Sequence, residues 1–252
     1  MRHPTLLGLV VGFIVLTIVF RLLELMRTRD KRQAWFRAGY LTDLAYWLFT
    51  PLVTRVATSI AVALVAAPIA YILWGRVDRD LIMHGWGPAG RLPLWAQAIG
   101  LLVVGDFIGY WVHRAFHRGM LWRFHAVHHS SRDLDWLSAV RLHPVNDVLM
   151  RVASAVPLLL TGFAPVAWAG IAPLLTILAI LIHANVDWDW GPLRSVIASP
   201  RFHRWHHTRE DEGLDKNFAG LLPLWDIYSG LTICRRRKFR RYLARTRRCR
   251  PD

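Results

Sequence analysis

The chain has 252 residues, of which 54% are hydrophobic and 13 are tryptophan, and its mean hydropathy is +0.27. This composition exceeds the range of soluble domains and points to a membrane protein, with the indoles suited to the bilayer–water interface. The formal charge of +15 is densest in residues 235–250, directly beyond the apolar portion, where it reads as an orienting flank that meets anionic lipid. No groove-reading motif accompanies it, which argues against a nucleic-acid partner.

In chain order, residues 6–26 are apolar except for Arg21 and Glu24, about the length of one span. No small-x-small cleavage site follows, so the stretch reads as an uncleaved transmembrane helix rather than a signal peptide. A basic loop comes next, with Arg27, Arg29, Lys31, Arg32 and Arg37. Residues 41–74 are apolar but interrupted by Pro51, Arg55 and Pro68. They form an interfacial segment followed by one span, or a tight pair of spans. Residues 75–91 are a polar connection with GWGPAG as its turn signal. A third span begins near Leu92 and runs directly into His113. Residues 118–146 are polar, aromatic and histidine-rich, which predicts helices outside the hydrocarbon. Residues 148–182 are apolar again, with a break near 161–165. Each half is short for a span, which predicts a helical hairpin entering and leaving on one side.

The fold expected is therefore all-α. It is an integral membrane helical bundle of about three full spans plus a short re-entrant-like hairpin, with a cytosolic histidine-rich helical cap. It forms one membrane domain: residues 1–91 hold the first spans and connections, 92–232 the catalytic region, and 233–252 a basic cytoplasmic tail. The positive-inside rule puts the 27–37 loop and the tail in the cytoplasm. The histidines then converge on that face only if residues 41–74 cross once, the assignment adopted here.

The candidate site lies in three boxes. HRAFH carries His113 and His117, HAVHH carries His125, His128 and His129, and HRWHH carries His203, His206 and His207. Residues three and four apart share a helix face, so each box can aim two or three imidazoles at one spot. A solvated polar face does not explain the repeated HxxHH, whereas neutral imidazole is the commonest side-chain metal ligand. His143 in RLHP and His183 in HANVD flank the hairpin and return to the same surface. These ten suit two ions. His3 and His84 read as ordinary polar residues. The two cysteines, Cys234 and Cys249, lack CxxC spacing, so any metal must be held by histidine, alone or with carboxylate help. No box contains the carboxylate base of a hydrolytic zinc site, and an all-nitrogen pair of ions better fits a redox metal that activates oxygen. Asp106, Asn185 and Asp187 are candidate acceptors for ring N–H groups.

HRAFH, HAVHH, RLHP, HANVD and HRWHHT, followed by KNFAG and LWDIYSG, resemble in order and spacing the fatty acid hydroxylase/sterol desaturase superfamily over residues 100–232. The stretch DWLSAVRLHP is similar to bacterial lipid-hydroxylase members. The resemblance implies a membrane di-iron enzyme with His113, His117, His125, His128, His129, His143, His183, His203, His206 and His207 as ligands. Zinc would be a substitute in purified protein. Molecular oxygen is the implied co-substrate and a membrane lipid the implied substrate. The products are a hydroxylated lipid or, in a desaturase, a new double bond. Electrons would come from a separate donor, such as a cytochrome b5-like protein, ferredoxin or reductase, which the basic tail could dock. Arginine dominance over lysine suggests a bacterial inner membrane. Trp136, Trp188 and Trp190 are candidates for the mouth of the lipid slot. A histidine-gated metal transporter is the reading from another class, and it would need more charged residues within the spans. A bis-histidine haem protein would leave eight histidines unexplained.

Overall fold

The computed structural model describes residues 5–233. The basic tail with both cysteines, and His3, lie outside them. All regular elements among the described residues are helical, apart from one isolated bridge between Thr28 and Val186.

Helix α1 (Leu6–Arg27) starts at Thr5, whose hydroxyl accepts from the Gly8 N–H. Helices α2 (Tyr40–Phe49) and α3 (Arg55–Trp74) are joined by a π-helical turn at Thr50–Thr54 that contains Pro51. Proline has no N–H to donate, and the widened turn absorbs that loss without breaking the rod. Tyr40–Trp74 is thus one continuous 35-residue helical run, not a pair of antiparallel spans. Short helices α4 (Arg79–His84) and α5 (Gly87–Gly90) lead to α6 (Leu94–Phe116). Helix α1, the Tyr40–Trp74 run and α6 are each long and apolar enough to cross a membrane. Large side chains such as Leu7, Ile18, Leu64, Ile72 and Trp95 face outward on them, as lipid contact requires.

After the very short α7 (Trp122–His125), the hairpin consists of α8 (Pro144–Thr161) and α9 (Pro165–Leu181), each with proline at its first position. Gly162 closes α8 at φ 79°, a left-handed cap that glycine adopts without steric penalty. The hairpin packs against α3 and α6. Its tip reaches the start of α6: the Gln97 amide accepts from the Ala164 N–H and donates to the carbonyls of Gly90 and Leu92. The Trp86 indole donates to the Leu159 carbonyl beside the same tip. The hairpin therefore extends along the length of α6, and both of its outer ends emerge at the histidine end. Helices α10 (Pro200–His206) and α11 (Leu224–Tyr228) complete the cap.

Two apolar clusters and one ionic cluster fix the cap on the bundle. Phe20 of α1 stacks on Trp136 with ring centroids 5.6 Å apart, and Leu137, Ile180, Ala184 and Val186 surround the pair. Trp136 is thus core, with Trp188 packed against it; the Trp190 indole donates to the Ala198 carbonyl. Tyr110, Ile182, Ala198, Phe202, Phe218 and Ala219 form the second cluster. Between the N-terminal helices and the cap, Arg37 bridges Asp135 and Asp43, and Arg141 also binds Asp43. Burial alone would lower the Arg37 pKa, but the two carboxylates hold it above the usual arginine value. The basic loop joins the cap directly. The Arg29 N–H donates to the Asn185 carbonyl and the Asp187 N–H to the Arg27 carbonyl.

Candidate metal centre

The histidines sit where helices end. His113 is in the last turn of α6 and His117 caps it; His125 ends α7; His128 and His129 lie in the following 3-10 turn. His183 follows α9, and α10 carries His203 and His206 with His207 at its cap. They form two groups, His113, His117, His125, His129 and His206 in one, and His128, His183, His203 and His207 in the other. Within each group one ligand nitrogen per ring lies within 4.8 Å of all the others.

Each HxxHH box is split between the groups. His125 and His129, four apart, join the first group and His128 joins the second; His203 and His207 join the second and His206 the first. Each HxxHH box thus aims two imidazoles at one spot and the third at the other. The same division holds where the box is α-helical, as in α10, and where the α-helix passes into a 3-10 turn after His125.

Backbone carbonyls set the tautomers. His113 Nδ1 donates to the Phe218 carbonyl at 2.6 Å, His128 Nδ1 to Arg141 at 3.2 Å, His183 Nδ1 to Ala179 at 2.7 Å and His206 Nδ1 to Lys216 at 2.9 Å. His125 Nδ1 faces the side-chain oxygen of buried Asn146 at 2.9 Å. A carbonyl only accepts, so these rings carry their proton on Nδ1 and present a bare lone pair on Nε2. Those lone pairs meet: His113 and His125 Nε2 are 3.0 Å apart, and His128 and His183 Nε2 are 3.1 Å apart. Two lone pairs cannot hydrogen-bond to each other, but a cation between them satisfies both. Two nitrogens held about 2.1 Å from one ion at a right angle lie about 3.0 Å apart, so the donor set fits a metal in each group.

Burial is the main cause of the low basicity of these rings. It drives His117, His125, His128, His129, His203, His206 and His207 well below the ordinary histidine value, reinforced by neighbouring imidazoles. His183 is lowered to about 4, again by burial first. Neutral rings are the form that binds metal.

Nine of the ten sequence candidates are thus brought together, and His143 is not. Its Nδ1 accepts the Val145 N–H as the N-cap of α8, and its ring lies 5.0 Å from that of Phe124. The three expected acceptors for ring N–H groups also act elsewhere. Asp106 accepts from the N–H groups of Leu221 and Leu222 and from the Trp225 indole. Asn185 is bonded to the Asp30 backbone, and Asp187 pairs with Arg29 and Arg201. Sequence reasoning missed Asn146 and Asp215, whose Oδ1 lies 3.6 Å from His117 Nδ1. Asn146 follows RLHP by two residues at the start of an apolar helix, a misplaced polar group that could have drawn notice. A cavity of about 140 Å³ lies against His117, lined also by Arg114, Arg118, Asp215, Phe218 and Leu231.

A family model described as fatty acid hydroxylase matches residues 98–230, a stretch that contains every histidine of both groups. The chain belongs to the fatty acid hydroxylase family. Among curated members of known name it is similar to the ornithine lipid hydroxylase OlsE of Rhizobium tropici, 28% identical over 86% of this chain and 63% of the relative. It is also similar to the alkylglycerol monooxygenase of Homo sapiens, 35% identical over 50% of this chain and 28% of the relative. A very-long-chain aldehyde decarbonylase of Oryza sativa is 28% identical over 58% of this chain and 25% of that protein. The chain therefore spans less than two thirds of the length of these relatives. No solved structure matches it.

Proposed function

We propose that this fatty acid hydroxylase family protein is an oxygen-dependent lipid hydroxylase that holds two iron ions. The observation carrying the proposal is the pair of adjacent histidine groups with opposed, unprotonated Nε2 atoms at one end of an apolar helical bundle. When bound, a pair of redox-active irons supplies the oxygen chemistry that the protein's own side chains lack. The overall change balances as R–H + O2 + 2 e− + 2 H+ → R–OH + H2O, with the electrons from a separate donor. Such a donor is a cytochrome b5-like protein, a ferredoxin or a reductase.

This chain's residues contribute position and seclusion. The carbonyls of Phe218, Arg141, Ala179 and Lys216 hold the rings as donors at Nδ1 and keep Nε2 free. Burial keeps protons off the rings, so they remain ligands at neutral pH. Apolar helices around α6 admit an acyl or alkyl chain from the bilayer and exclude water from the reacting carbon. The names of two relatives, an ornithine lipid hydroxylase and an alkylglycerol monooxygenase, denote lipids, which supports a lipid substrate here.

The active site is proposed to face the cytoplasm, in a bacterial inner membrane. The basic loop supports this orientation, because it joins residues 185–187 directly after His183. The positive-inside rule assigns both to that side. The basic tail would meet anionic lipid and an acidic donor.

Comparative lipidomics of cells with and without the gene, grown with oxygen, tests the reading. A lipid heavier by one oxygen atom, absent without the gene or without oxygen, is expected. A product lighter by two hydrogens would replace hydroxylation by desaturation on the same centre. An unchanged lipid profile with metal flux in proteoliposomes would replace it by transport.

A further inference from the structure

Residues 215–219 run past the first histidine group, supply the Nδ1 acceptor of two of its five members and lie beside a third. Asp215 lies beside His117, the Lys216 carbonyl accepts from His206, and the Phe218 carbonyl accepts from His113. In the second group, His128 and His183 are oriented instead by Arg141 and Ala179.

The segment is held in an unusual shape. Asp215 and Asn217 both have φ near 56°, the left-handed region that Asp and Asn tolerate better than other side chains with a Cβ. Asn217 is completely buried. Its amide donates to the carbonyls of Phe202 in α10 and of Ile233, and its oxygen accepts the Ile233 N–H. Asp226, also completely buried, accepts the N–H groups of Phe218 and Ala219 with its two oxygens. Asp106 holds the following residues through Leu221, Leu222 and Trp225. Three side chains thus clamp one strap: its own Asn217 ties it to α10, and Asp226 of α11 and Asp106 of α6 hold it from outside.

We propose that this strap, clamped by Asn217, Asp226 and Asp106, is the device that completes the first metal site, and that cutting the clamp weakens that site alone. None of the three side chains touches a ligand ring; they are positioning residues acting through backbone carbonyls. The inference rests on the metal-binding part of the proposed function and not on its lipid chemistry. Outer partners of metal-binding histidines typically control affinity by about 10- to 100-fold, and here one strap orients two rings of one group.

The test uses the full chain in detergent, titrated anaerobically with Fe(II) or Co(II). It reads the number of ions bound, the affinity of each and the Co(II) electronic spectrum. In Asn217→Gly, which keeps the left-handed backbone but removes the clamp, one ion should bind about 10- to 100-fold more weakly and the other as before. Asp226→Asn should do the same independently, and whichever variant keeps the parent's helical circular dichroism decides. Adding His128→Ala to Asn217→Gly should remove the remaining tight ion, whereas adding His129→Ala should leave it. Two ions bound with parent affinity, or both weakened equally, would overturn the proposal while leaving metal binding intact. A parent protein that binds neither ion would overturn the metal reading itself.

Discussion

The rings of His129 and His207 stack 4.2 Å apart, 21° from parallel, although they belong to different histidine groups. They form the seam of the centre, and each comes from an HxxHH box that serves both sides. The two groups are therefore built from shared segments: each box gives rings to both groups, and each ring serves one.

The first prediction follows from this sharing. His129→Ala and His206→Ala should each weaken the first ion, and His128→Ala and His203→Ala the second. All four should reduce lipid hydroxylation by at least about 100-fold, the upper end of what loss of a mere outer partner costs. Metal content by mass spectrometry, beside product analysis, checks both halves. A ligand variant that keeps full activity would remove that ring from the centre.

His143 should behave differently. It caps α8 through the Val145 N–H and lies outside both groups. His143→Ala should bind two ions normally and lose about 1 kcal/mol of stability, the usual cost of an N-cap. Thermal unfolding and metal titration of the same preparation separate the roles. Loss of an ion would restore His143 to the ligand set.

Asn146 is the side chain that orients His125, at 2.9 Å and fully within the protein. Asn146→Ala should leave the overall fold in place and lower the affinity of the first site by about 10- to 100-fold. Asn146→Asp should recover most of it, since a carboxylate also accepts from Nδ1. Titration of the two variants beside the parent reads the difference.

The histidine cluster was legible because imidazole is a rare side chain and its recurrence at three and four residues carries information. Their outer partners were not, because four of them are backbone carbonyls, which every residue has. Phe218 lies 105 residues from His113, and no local pattern announces such a pairing. Asp106 misled for a geometric reason: seven helical residues rise about 10 Å, too far for its carboxylate to reach the His113 ring. It reaches the strap instead. The three spans and the hairpin followed from apolar runs and proline breaks. The depth of the hairpin did not, because it depends on Gln97 meeting Ala164 across 67 residues.

Acid should destabilise the metal-free protein over a definite window. His183 has a folded value of about 4 against an ordinary 6.5, set first by burial. The unfolded chain therefore binds more protons between these limits, and stability falls as pH drops from about 6.5 toward 4. Above about 6.5 the ring is neutral in both states and adds no slope. This ring alone accounts for roughly 3 kcal/mol over the window, and its buried neighbours act in the same direction. Melting temperatures of chelator-treated protein should be level above about pH 6.5 and fall steadily from there toward about pH 4. Bound metal should flatten the upper part of the curve, because it holds the neutral rings.

Asp43 links the N-terminal helices to the second site. It is completely buried, accepts from Arg37 and Arg141, and Arg141 in turn offers its carbonyl to His128. Removing one partner of a buried ionic cluster leaves charge uncompensated and costs about 3–5 kcal/mol. Asp43→Ala should lower the melting temperature by about 10 °C for a chain of this size. It should also weaken the second ion more than the first, because Arg141 is freed on the side of the cap that carries His128. Asp43→Asn keeps two acceptor lone pairs without the charge and should fall between the parent and Asp43→Ala in both measurements. Equal weakening of both ions would mean that the cluster supports the cap as a whole, without favouring His128.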